Sequence, residues 1–105
     1  MKRPQKIRVL GQPWRIDWQA SVKDDDENEC YGTTDVSNQV IAMETAISTL
    51  TLEQETLLHE LLHVAFHVAD IQDHDESVVT RLARVLLALM RDNPGLLTYL
   101  RARKR

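Results

Sequence analysis

Thr51-Leu52-Glu53-Gln54-Glu55-Thr56-Leu57-Leu58-His59-Glu60-Leu61-Leu62-His63-Val64-Ala65-Phe66-His67-Val68-Ala69 is the stretch on which the reading of this chain turns. Thr51 to Gln54 fit a capping box, with the Thr51 hydroxyl taking a backbone N–H and Gln54 reaching back. From there to about Ala69 the pattern is helical. Leu57, Leu58, Leu61, Leu62, Val64, Ala65, Phe66 and Val68 place apolar residues nearly all round, which predicts a central, buried helix.

His59, Glu60 and His63 interrupt that apolar surface. Buried polar groups need partners, and a metal with its water would satisfy all three. Histidines four residues apart share a helix face, so both imidazoles can converge on one zinc ion at ~2.1 Å. Glu60 is rotated from His59 by ~100°, from where its carboxylate can act as base toward a water whose pKa zinc lowers to ~7.

A catalytic zinc site usually has three protein ligands. His67 continues the four-residue series, but it lies ~12 Å along the helix from His59, so it is expected near the site or on the surface. His74, Asp75 and Glu76 follow the polar connection beginning at Ile71, and Glu76 is the preferred third ligand among these four. Asp73 to Glu76 also fit a capping box. A tight antiparallel return would carry Glu76 beyond the metal, so either the first helix ends early or the connection folds back.

Working outward, Ile7 to Leu10 and Trp14 to Trp18 alternate apolar with polar around Gly11-Gln12-Pro13. They predict a hairpin with Val9, Trp14, Ile16 and Trp18 facing inward. Lys23 to Glu29 form an acidic stretch without the alternating ligands of a calcium loop. Tyr31 to Thr34 and Gln39 to Met43 predict two short strands around an Asp35-Val36-Ser37-Asn38 turn. Downstream, a helix is expected from about His74 to Arg91, with Val78, Val79, Leu82, Val85, Leu86 and Leu89 packed. Asn93-Pro94 ends it and starts a short last helix through Leu96, Leu97 and Leu100. The expected fold class is α+β, a small antiparallel sheet on the motif helix and a second long helix.

Length and charge suit one small domain: 105 residues with a net charge of −3. Residues 1–6 and 101–105 are expected to fray. The acidic balance and the lack of a basic recognition helix argue against nucleic acid as partner. Cys30 is the lone cysteine, so no disulfide framework exists. No apolar run approaches the ~20 residues of a membrane helix, and no signal peptide follows Met1. A cytoplasmic protein, in a bacterium or a phage-infected host cell, is expected.

His-Glu-x-x-His followed by a glutamate on the next helix resembles the gluzincin-type metallopeptidases in minimal form. The length, the preceding strands, the run Thr56 to His63 and the Asp92-Asn93-Pro94 tail are similar to small phage and prophage relatives of the ImmA/IrrE-type peptidases. The resemblance spans roughly Ile7 to Leu100, though only the five-residue motif is specific. It implies a zincin-like architecture, His59, His63 and Glu76 as zinc ligands, Glu60 as general base, and a peptide or protein substrate. The chain departs from that pattern at Thr80, where thermolysin-like gluzincins have an aspartate that orients a histidine. Phe66 and Ala69 replace the glycine and third histidine of metzincins, and the later histidine of SprT-like proteins keeps His74 in play as a ligand. The peptide would lie along an edge strand, Gln39 to Met43, with Tyr31, Tyr99, His67 or His74 available to the oxyanion. The alternative is a non-catalytic module that zinc stabilises for binding a partner protein.

Overall fold

The computed structural model describes residues 2–105. A two-residue turn starts the sheet. Leu10 and Gly11 both take positive φ, 48° and 78°, the combination whose twist suits a tight hairpin. It joins β1 (Lys6–Val9) to β2 (Gln12–Gln19), antiparallel with Val9 opposite Gln12. The chain then forms a small hairpin of β3 (Val22–Lys23) and β4 (Glu29–Cys30), and runs through β5 (Gly32–Asp35) into β6 (Val40–Glu44). The acidic stretch is the β3–β4 turn, closed by Asp24 Oδ1, which accepts the backbone N–H groups of Asp26 and Asn28, both at 2.9 Å.

The sheet is mixed, not wholly antiparallel as expected. Its order is β1-β2-β6-β5, and β2 pairs with β6 in parallel, Ile16 opposite Ile41 and Trp18 opposite Met43. Alternation tells which side chains share a face, but not which strands become neighbours. Here β6 enters between β2 and β5, and β5 becomes the edge. The strand expected to receive a peptide, Gln39 to Met43, is therefore interior and fully paired.

One face of the sheet presents Trp14, Ile16, Ile41 and Met43, all buried. Against it packs α1 (Leu50–Val68), through the seam Leu57, Leu61, Val64 and Val68, spaced as one helix stripe. The helix begins two residues earlier than the capping box predicts. Thr49 is the cap, its hydroxyl accepting the Leu52 N–H at 3.1 Å, and Thr51 in the first turn accepts instead from Arg91 at 3.2 Å. Although α1 is central, only Glu60 and Val64 are fully buried along it.

The last layer is α2 (Glu76–Asp92), followed by α3 (Leu96–Arg101). Asp75, not Asp73, caps α2, accepting the Ser77 N–H at 2.8 Å. Packing on α1 alone buries one stripe of it, Val79 and Ala83. Val78, Leu82, Val85 and Leu89, expected to be packed, are exposed, because no layer lies beyond them. The N-terminal segment expected to fray is held. Arg3 pairs with Glu53 at 2.7 Å and lies over the Trp18 ring, whose Nε1–H donates to Pro4 O at 2.8 Å. Residues 102–105 are exposed and outside any element. Among the described residues no helix is long and apolar enough to cross a membrane.

Candidate metal centre

His59 and His63 stand one turn apart on α1, and their Nε2 atoms lie 3.1 Å from each other. Glu76, the first residue of α2, brings one carboxylate oxygen to each: Oε2 is 2.8 Å from His59 Nε2 and Oε1 is 2.8 Å from His63 Nε2. One donor atom from each of the three residues lies within 4.8 Å of the others. Tetrahedral zinc bonds of ~2.1 Å set donor atoms ~3.4 Å apart. The group would accept an ion by spreading a few tenths of an ångström, and two imidazoles with a carboxylate are donors that zinc takes.

The connection folds back, while α1 keeps its full length. Asp70 adopts φ +58°. Its N–H bonds to His67 O at 3.1 Å, and the Ile71 N–H bonds to Phe66 O at 2.8 Å, the paired bonds of a Schellman ending. Ile71 to Asp75 then run back along α1 without helical structure. Five extended residues span ~16 Å, enough to return from the helix end to the level between His59 and His63.

The other candidate ligands fall elsewhere. His67 is exposed, Asp75 is spent on the α2 cap, and His74 Nε2 lies 3.1 Å from His63 Nδ1, on the ring edge away from Glu76. Thr80 stands where the resemblance calls for an aspartate, and its hydroxyl oxygen is 3.3 Å from His59 Nδ1. Of the residues considered for the oxyanion, Tyr31 lies beside the centre, in a hollow shared with His59, Glu60, Thr80 and Arg84. Tyr99 is on α3, largely exposed.

Glu60 is 7 % exposed, an unusual burial for a carboxylate. Two residues of β5, which sequence reasoning did not single out, explain it. The Thr34 hydroxyl donates to Glu60 Oε1 at 2.8 Å. Gly32 lets the strand approach so closely that a Cβ there would lie 3.0 Å from Met43 Sδ, 3.1 Å from Glu60 Cγ and 3.2 Å from Thr56 Cγ2. Burial pushes the Glu60 carboxyl above the usual carboxylate range, opposed by the Thr34 hydrogen bond and by His59. Burial likewise pushes the His63 imidazole down, opposed by Glu76, which favours the neutral form a metal needs. The centre opens on a cleft of about 560 Å³, lined by Asp24, Thr33, Thr34, Glu60, His63 and Glu76 among others. Comparison with protein-family models, curated proteins and solved structures finds no match to this chain.

Proposed function

We propose that this chain is a zinc-dependent metallopeptidase-like hydrolase of minimal zincin type, acting in the cytoplasm on peptides or proteins. The observation that carries the reading is the convergence of His59, His63 and Glu76 beside a buried Glu60 on an open cleft. When bound, zinc supplies an acidified water and a Lewis acid for a carbonyl oxygen. Three protein donors leave a position for water or substrate, whereas a structural site closes with a fourth. His74 and His67 are turned or placed away from that role, which favours a hydrolase over a zinc-stabilised interaction module.

Glu60 is the general base. Thr34 occupies Oε1 and leaves Oε2 to take a proton from water and pass it to the leaving amine. Its raised proton affinity suits the task. The peptide lies extended along β5, the edge strand beside the cleft, and pairs with its free backbone groups. Tyr31, which immediately precedes that strand and shares a hollow with His59 and Glu60, offers a hydroxyl to stabilise a developing oxyanion.

Elemental analysis of purified protein, with cleavage of an unfolded protein substrate, tests the reading. About one zinc per chain is expected. Glu60→Gln should keep that zinc and lose turnover by ~10²–10⁴-fold, the usual worth of a positioned base. Protein that takes up no zinc under any loading condition would overturn the metal centre. Cleavage unchanged in Glu60→Gln would overturn the assigned base.

A further inference from the structure

His74 lies outside the three-residue donor group, yet its ring is placed against that group. It sits in the extended connection two residues before Glu76. Alternate residues of an extended chain face the same side, so His74 and Glu76 both meet α1, while Asp75 between them turns away and caps α2. His74 Nε2 lies 3.1 Å from His63 Nδ1. The ring stacks on Phe66, centroids 4.5 Å apart at 30°, which holds it in that pose. Its other nitrogen, Nδ1, is buried with no hydrogen-bond partner.

We propose that His74 is a positioning residue for the metal centre, accepting the Nδ1–H of His63 and thereby holding that imidazole with its Nε2 lone pair toward Glu76 and His59. The inference rests on the metal-site reading above and adds a residue to it. A histidine that gives Nε2 to a metal carries its remaining proton on Nδ1, and the partner of that proton fixes tautomer and ring angle. His74 Nε2 is that partner. Its own proton must then lie on Nδ1, where the fold provides no acceptor. A buried donor without an acceptor lowers stability, so His74 is a poor choice if packing on Phe66 were its whole role. Phenylalanine would stack there without leaving a donor orphaned.

His74→Phe and His74→Gln separate the two roles. In the 105-residue chain, zinc affinity is measured by competition with a chromophoric chelator, thermal stability is measured without metal, and the His63 tautomer is read from ¹⁵N shifts of the zinc-loaded protein. His74→Phe is expected to fold with a metal-free melting temperature equal to or above wild type, and to bind zinc ~10–100-fold more weakly, the usual effect of removing such a partner. His74→Gln offers a carbonyl to the same N–H and should recover most of the affinity. In wild type the ¹⁵N shifts should show the His63 proton on Nδ1. Wild type that binds zinc no more tightly than His74→Phe overturns the proposal and leaves the metal centre standing. So does a metal-free His74→Phe that melts well below wild type while His74→Gln restores nothing. Wild type that binds no zinc at all overturns the metal centre and this inference with it.

Discussion

His59, Glu60 and His63 reach the centre from consecutive turns of α1, whereas His74, Glu76 and Thr80 reach it from a segment that has first reversed at Asp70 and run back. The first set is arranged by helix geometry alone, since residues four apart share a face wherever the helix lies. The second is arranged by one left-handed residue and a five-residue connection, neither of which has a periodicity. A centre assembled this way should be robust on one side and dependent on the turn on the other.

The largest contrast is expected between single ligands of the two sides. His63→Ala should weaken zinc binding by about two to three orders of magnitude, taking a quarter of the ~10–16 kcal/mol typical of four-ligand sites. Glu76→Ala should weaken it by only about one order, because its side chain is 68 % exposed and water can replace a solvated carboxylate. Zinc titrations of the two variants check this, and equal losses would show that the returning segment matters as much as α1.

A smaller effect should come from the turn itself. Asp70 has φ +58°, a conformation that costs a β-branched residue ~1–2 kcal/mol. Asp70→Val should lower stability by about that amount and loosen zinc, while Asp70→Gly should keep both. Chemical denaturation with and without zinc reads both quantities. An Asp70→Val protein of unchanged zinc affinity would mean that Glu76 is brought back by the packing of α2 and not by the turn.

The smallest effects on zinc binding should come from α2 away from the centre. Val85 is 64 % exposed, and Val85→Thr should stay within ~0.5 kcal/mol of wild type with zinc affinity unaltered. Val79→Ala, beneath the same helix, should cost about 2 kcal/mol for two lost methyl groups and the space they leave. Denaturation midpoints of the pair would show whether α2 is anchored by its inner stripe alone.

Much of this was legible before the structure. Alternating residues mark Trp14 and Ile16 as inward-facing, and the helical run marks the seam through Leu57, Leu61 and Val64. The errors have a common form. The caps fell on Thr49 and Asp75 instead of Thr51 and Asp73, since several nearby hydroxyls and carboxylates satisfy the same local pattern and only the chain's path selects among them. The stripe Val78, Leu82, Val85 and Leu89 looks like core, but a helix at the outside of three layers has one partner and buries one stripe. Thr34 and Gly32 carry no motif. Their roles exist because β5 is the edge strand that passes over Glu60.

The sequence alone determined the four strands of the larger sheet, the helices and the placing of His59, Glu60 and His63 on one side of α1. Those follow from the periods of strand and helix and need no knowledge of neighbours, whereas the two-residue strands β3 and β4 are too short to show a period. Only the tertiary structure decided that β6 lies parallel to β2, that β5 covers Glu60, and that Glu76 meets the two histidines with His74 behind His63. Each of these joins residues far apart along the chain, and such meetings are set by the packing of layers and the closure of loops, which leave no periodic mark in the residues that take part.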